Sequence, residues 1–155
     1  MFGTLVSEDV EIKVEPSKAW KLWSTLDFVT VVSKEILDKL EVEGDGGVGT
    51  VLNLIFKPGF WVSSYKEKFV KIDHENMTKE AEVVEGGFLD IGFSLYRCRF
   101  EIKENPKDKT GSSCVVKATI EYEVKEEATS NVSLVNMDQL VYAIKVAGQH
   151  LENSS

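Results

Sequence analysis

Little in this chain could hold a metal ion. Its 155 residues include two cysteines, Cys98 and Cys114, and two histidines, His74 and His150. They do not stand at the short spacings that bring nitrogen and sulfur ligands onto one ion, so no metal is expected. Basic residues are also scarce: 18 Lys and Arg stand against 26 Asp and Glu, a formal net charge of −8. That sign argues against a nucleic-acid backbone as partner and against an anionic membrane surface. No apolar run is long enough to span a bilayer. Met1–Thr4 lacks the basic-then-apolar pattern of a secretory leader, which with so few cysteines predicts reduced thiols and a cytoplasmic protein. There is no internal repeat, linker or low-complexity tract. With 43% apolar and 28% charged residues, a single globular domain over 1–155 is expected.

Patterning supplies the elements. Residues 4–14 alternate, with Val10, Ile12 and Val14 against Glu11 and Lys13, and read as a first strand. Pro16 opens a helical pattern whose apolar face has Trp20 and Trp23, and a break near Asp27 divides it into two short helices. Strands are expected at 40–43, 50–57, 61–72, 77–85, 90–103 and 113–125, separated by Gly-, Pro- and Asn-containing turns. From Ser130 to Leu151 apolar residues return at helical spacing, predicting one long amphipathic helix. The fold class is therefore α+β, a seven-stranded antiparallel sheet with helices on one face. The inward positions Ser94, Tyr96, Cys98 and Phe100, then Val116, Ala118, Ile120 and Tyr122, mix small, polar and aromatic types, which suggests a cavity.

Two strands break their own pattern. Between Met77 and Val84, Lys79 falls on the apolar face with Ala81 and Val83. Between Trp61 and Ile72, Glu67 shares the face of Trp61, Tyr65 and Phe69. Successive strand residues point to opposite sides, so a phenol, a carboxylate and an ammonium are aimed at one apolar interior. Buried charge is costly unless paired or used. Two readings stand: a catalytic group, or an ion pair between neighbouring strands.

Gly44-Asp45-Gly46-Gly47-Val48-Gly49-Thr50 contains G-x-G-x-x-G. A strand follows where a phosphate-binding helix should open, so a tight turn is the expected structure. Together with Tyr65-Lys66-Glu67-Lys68-Phe69 and Glu85-Gly86-Gly87-Phe88-Leu89-Asp90-Ile91-Gly92, this loop resembles the plant birch-pollen-allergen (Bet v) family, or pathogenesis-related class 10. Within that family the resemblance is greatest to its norcoclaurine-synthase and norbelladine-synthase members. It implies a curved seven-stranded antiparallel sheet, two short helices and a long C-terminal helix around an internal cavity, a START-like helix grip. It also implies an amine–aldehyde condensing enzyme, a carbon–nitrogen lyase of alkaloid biosynthesis, without cofactor. Carried over by position, the family's catalytic tyrosine, glutamate and lysine fall on Tyr65, Glu67 and Lys79. Its aspartate falls on Cys98, and an acidic residue near the pocket mouth falls on Phe60; both are departures, and the first bears on ring closure.

The implied reaction joins a phenethylamine such as dopamine to an aromatic aldehyde, with Pictet–Spengler closure as its cyclising form. Lys79 is expected as general acid, Glu67 as base and Tyr65 as orienting hydrogen-bond partner. Trp61, Phe69 and Tyr96 are expected to stack on substrate rings, with Leu54, Phe60 and Cys98 lining the pocket. The rival class is a non-catalytic carrier of hydrophobic plant metabolites or phytohormones such as cytokinins. Ribonuclease activity fits poorly with the acidic balance and the absence of a histidine pair. A monomer or weak homodimer is expected. His74 is read as an exposed turn residue, His150 as a cation near a helix C-terminus, Cys98 as a pocket residue and not a nucleophile, and residues 105–109 as a solvated hairpin loop.

Overall fold

In the computed structural model, which describes residues 1–154, the predicted strands join in one antiparallel sheet. The first is interrupted. β1 (Phe2–Val6) and β2 (Val10–Ile12) both pair with the last strand, so the seven expected strands form eight segments. Ser7 causes the break: its N–H donates to Ala118 O, and its Oγ takes the Ala118 N–H that a ladder carbonyl would otherwise accept. Two helices follow, α1 (Pro16–Trp23) and α2 (Asp27–Ile36). The remaining strands are β3 (Leu37–Glu43), β4 (Val51–Phe56), β5 (Ser64–Asp73), β6 (Thr78–Gly86), β7 (Phe93–Glu104) and β8 (Cys114–Val124). Their spatial order is β1-β8-β7-β6-β5-β4-β3. Helix α3 (Asp138–Asn153) packs against α2 and β2.

Four expectations are corrected. The C-terminal helix begins at Asp138, not Ser130, because Asn136 Oδ1 accepts the Asp138 N–H and starts the helix there. Residues Glu126–Leu134 form 3-10 turns, and Val132, Leu134 and Val135 pack on a second apolar cluster around Phe93 and Tyr122. β5 starts at Ser64, which leaves Trp61 in the preceding loop. β7 starts at Phe93, because a 3-10 turn occupies Gly87–Ile91. Gly87 sits at φ +54, and a Cβ there would stand 3.1 Å from Tyr65 Cδ2. Glycine thus lets this turn close over the tyrosine. Ser94 is exposed and not inward, since a register shift between Phe93 and Leu95 turns it out to Glu123.

Two further irregularities keep the interior face consistent. The β5–β6 register shifts between Lys66 and Glu67 and between Phe69 and Lys71. The second shift places Ile72 opposite Lys79 and leaves Lys71 exposed. A bulge re-aims side chains in this way without ending the strand. The glycine-rich loop is the expected turn. Its Gly46 and Gly47 N–H groups donate to Thr50 Oγ1 and Asp45 Oδ1, and the Gly49 N–H donates to Phe69 O. These amides are consumed internally, which leaves no phosphate cradle.

The core lies between the sheet and the three helices, with Ile12, Trp23, Leu52, Val116 and Ile144 essentially fully buried. In the 105–109 loop Pro106, Lys107 and Lys109 are exposed as expected, but Asn105 is buried: its amide donates to Ser113 Oγ and Glu11 Oε2. Among the described residues no helix is long and apolar enough to cross a membrane. Ile144→Ala on α3 is expected to lower unfolding free energy by ~2–5 kcal/mol. Tyr142→Ala, on the exposed side of the same helix, should change it by less than ~0.5 kcal/mol. Urea denaturation of both variants checks the pair.

Candidate active site

Between the sheet and helices α2 and α3 lies a cavity of about 130 Å³. The helices supply mainly apolar walls, Phe28, Val32 and Ile36 from α2 and Leu140 and Ala143 from α3, with Ser33 and Gln139 as polar exceptions. Strands β4 to β7 supply the facing wall. Alternation brings Leu54 and Phe56 inward from β4, Tyr65 and Glu67 from β5, Ala81 and Val83 from β6, and Tyr96, Cys98 and Phe100 from β7. Phe60, Trp61 and Val62 close the mouth from the β4–β5 loop. Phe60 rests on Phe56, and Trp61 stands edge-on to Phe88 with ring centroids 4.8 Å apart. Phe88 in turn stacks on Tyr96 at 4.1 Å. Trp61 therefore reaches the cavity from a loop and not from a strand face.

Seven of the nine residues singled out from the sequence line this space: Leu54, Phe60, Trp61, Tyr65, Glu67, Tyr96 and Cys98. Phe69 and Lys79 do not. Phe69 is buried in the core, and its ring face is taken by the Lys79 ammonium, 3.8 Å from the centroid. Lys79 is 5% exposed. Its Nζ donates to Trp23 O at 2.9 Å and to Thr25 O at 3.3 Å. These carbonyls stand at and just beyond the C-terminal end of α1, where unpaired carbonyls and the helix dipole favour a cation. No ion pair within 4.0 Å joins Lys79 to Glu67 among the described residues. The ion-pair reading is thereby corrected: backbone carbonyls, not a carboxylate, are the lysine's direct partners.

Glu67 is the one carboxylate among the described residues that line the cavity. Among those residues neither its oxygens nor the Tyr65 and Tyr96 hydroxyls have a hydrogen-bond partner. All three residues are half-buried, so their polar atoms are open to the cavity and available to a ligand. Burial raises the Glu67 pKa to about 7, against the opposing effect of the Lys79 charge. Burial likewise lowers Lys79 to about 8, with Glu67 acting the other way. Desolvation pushes the Tyr65 and Tyr96 phenols and the Cys98 thiol up, with Glu67 adding to each. These three groups stay protonated near neutrality. Cys98 is a neutral wall residue, as expected, and not a thiolate nucleophile.

Sequence reasoning missed the helical half of the cavity. Ser33, Asn136 and Gln139 bring polar atoms to the side facing Glu67, yet each is an ordinary polar position in a helix or cap. It also missed the role of His74. This residue is exposed as expected, but its Nδ1 accepts the Trp20 Nε1–H at 3.1 Å and fastens α1 to the β5–β6 turn. No group of three or more potential metal ligands occurs among the described residues.

Comparison with known proteins agrees with this architecture. A family model described as the pathogenesis-related protein Bet v 1 family matches residues 1–153. Norbelladine synthase of Narcissus pseudonarcissus is 42% identical over 156 residues, covering 97% of this chain and 93% of that protein. S-norcoclaurine synthase 2 of Papaver somniferum is 44% identical over 124 residues, covering 77% of this chain. The match spans about half of that relative, 52% of its length. A norcoclaurine synthase structure from Thalictrum flavum in complex with dopamine and hydroxybenzaldehyde superposes with a TM-score of 0.87 at 29% identity. That superposition covers 100% of this chain and 89% of the other.

The raised Glu67 pKa has a stability consequence. A carboxyl whose folded pKa lies above its unfolded value favours the folded state fully below the unfolded pKa. That contribution is lost as pH rises through the folded pKa, here from about 4.5 to about 7. Glu67→Gln should therefore gain stability relative to wild type as pH rises across this window. Urea midpoints of both proteins at pH 5 and pH 7.5 check the sign.

Proposed function

The chain belongs to the Bet v 1 family of pathogenesis-related proteins, and from that premise we propose that it condenses an arylethylamine such as dopamine with an aromatic aldehyde. One observation supports this above the others: a single carboxyl, unpaired by protein and titrating near neutrality, faces an aromatic-walled cavity. General acid–base catalysis works best when the pKa lies close to the operating pH. At about 7, Glu67 is available as both acid and carboxylate.

The chemistry follows from that dual state. The neutral amine attacks the aldehyde carbon, a carbon–nitrogen bond forms as the carbonyl π bond opens, and a proton passes from nitrogen to oxygen to give a carbinolamine. The carboxylic acid form of Glu67 protonates the hydroxyl, the carbon–oxygen bond breaks and water leaves. The resulting iminium faces the carboxylate just formed, which offsets its charge in a low-dielectric site. Tyr65, held protonated, donates a hydrogen bond to a substrate oxygen. Trp61, Tyr96 and Phe28 offer ring faces and edges to the two aromatic groups. For ring closure, the catechol carbon attacks the iminium carbon and the ring proton passes to Glu67. With Cys98 where a second carboxylate would stand, Glu67 serves both proton transfers, and the uncyclised imine is the simpler product. Reduced Cys98 and Cys114 thiols, both free, suit a cytoplasmic setting. The reading needs one domain, no cofactor and no nucleic acid.

A second reading, a carrier of hydrophobic metabolites, draws on the predominantly apolar wall. It predicts tight binding of an aromatic ligand with no turnover. Incubation with dopamine and 4-hydroxyphenylacetaldehyde, with chiral resolution of the cyclised product and borohydride trapping of the imine, separates the two. Enantiomeric excess or trapped imine above background is expected, with a loss of ~10²–10⁴-fold in Glu67→Gln. Equal background product with both proteins would sink the catalytic reading.

A further inference from the structure

We propose that Gln139 is a specificity-determining residue for the aldehyde component: its amide hydrogen-bonds a hydroxyl on the aldehyde's aromatic ring and favours hydroxylated aldehydes over unsubstituted ones. The proposal rests on the amine–aldehyde reading and names the substrate class within it. Helix periodicity makes the position stand out. The stripe that α2 turns to the cavity, Val29, Val32, Ser33 and Ile36, has one polar member. So has the α3 stripe of Gln139, Leu140 and Ala143. Both follow the three- and four-residue spacing of a single helix face. Gln139 thus stands where the pattern calls for an apolar side chain.

The fold makes no use of its amide. Gln139 lies in the first turn of α3, yet the Asp138 N–H is taken by Asn136 Oδ1. Gln139 is half-buried, and its amide has no hydrogen-bond partner among the described residues. The other polar groups of this wall are partly committed. Ser33 gives its hydroxyl proton to Thr30 O at 2.9 Å, so its oxygen can only accept. Asn136 is exposed and spends Oδ1 on the helix start. A phenolic hydroxyl both donates and accepts. Among the described residues of the helical wall, Gln139 is the group whose donor and acceptor are both free to match it.

Charge and bond order decide which substrate ring reaches it. Glu67, the one carboxyl lining the cavity among the described residues, draws the amine nitrogen and then the iminium to the sheet wall. Ring closure brings a carbon of the amine's own ring, and its proton, to the same carboxyl, so that ring also stays on the sheet side. The aldehyde's aryl group, attached to the iminium carbon, is left to extend toward α2 and α3. There the ring meets Val32, Ile36 and Leu140, and a hydroxyl on it meets Gln139. An unsubstituted ring would desolvate the amide and leave it unpaired, which is how a hydrogen-bonding wall discriminates between two otherwise similar substrates.

Two unreactive alcohols, 2-phenylethanol and 2-(4-hydroxyphenyl)ethanol, stand in for the aldehydes, so that binding is read without turnover. Each is titrated against the protein with dopamine in excess, and its Kd is taken from ligand-observed NMR. The hydroxylated alcohol should bind about threefold to tenfold tighter to wild type, and this preference should fall to near one in Gln139→Leu. Ser33→Ala should lower it by less. A merely structural effect would weaken both alcohols alike and leave their ratio unmoved. With dopamine as amine, the ratio of kcat/KM for 4-hydroxyphenylacetaldehyde over phenylacetaldehyde should fall in Gln139→Leu by the same factor. No preference in wild type, or an equal one in Gln139→Leu, would overturn the proposal. Should Gln139→Leu fail to fold, Gln139→Ala removes the same amide and reads the same ratio. Absence of turnover in wild type, alongside a binding preference that Gln139→Leu abolishes, would instead reject the condensation reading and leave the hydroxyl subsite standing.

Discussion

The Lys79 ammonium at the C-terminal end of α1 joins the helical layer to the sheet at the point where the cavity begins. Its side chain starts on β6, crosses the face of Phe69 and ends on the carbonyls of Trp23 and Thr25. A cation here meets unpaired carbonyls and the negative end of a helix dipole, so burial is offset without a counter-carboxylate. The arrangement leaves Glu67 unpaired on the neighbouring strand. A direct Glu67–Lys79 pair would have favoured the carboxylate and lowered the Glu67 pKa further. Keeping them apart preserves a carboxyl whose proton equilibrium lies near neutrality.

That separation depends on strand geometry. β5 and β6 are neighbours, yet Glu67 pairs with Val83 while Lys79 pairs with Ile72. The two charged residues consequently sit at different levels along the same inward face. The Phe69–Lys71 register shift holds this spacing and sends Lys71 outward. Aromatic rings complete the insulation: Phe69 shields the ammonium, while Phe88 and Tyr96 stack beside the carboxyl's end of the cavity. The low dielectric so produced strengthens electrostatic interactions inside the cavity.

The replacement of an expected carboxylate by Cys98 fits the same electrostatics. A second acid beside Glu67 would add like-charge repulsion to a site already desolvated, and would push one of the two toward permanent protonation. The neutral thiol avoids that conflict and leaves Glu67 as the one carboxyl lining the cavity among the described residues. In place of an acidic residue at the mouth, Phe60 packs on Phe56 and adds apolar surface. The cavity is thus simpler in its acid–base equipment than the family pattern and richer in apolar wall.

Much of the architecture was legible from the chain alone. Patterning placed strands at 50–57, 61–72 and 113–125, within three residues of their observed ends, because one face must be buried and a one-residue slip exposes it. The misplacement of Glu67 and Lys79 on apolar faces identified them as unusual for the same reason. What no linear pattern contained was the partner of each charge. Whether Lys79 meets Glu67 or the end of α1 depends on how a helix more than fifty residues away packs against β7 and β8, and on two register shifts invisible to periodicity. The helical wall with Ser33 and Gln139, and the start of α3 at Asp138, likewise came only from tertiary packing. Polar side chains at helix ends satisfy local capping and cavity lining equally well in sequence. The sequence by itself determined which residues face inward; the folded chain decided which of them meet, since direction along a strand is local and proximity between elements is not.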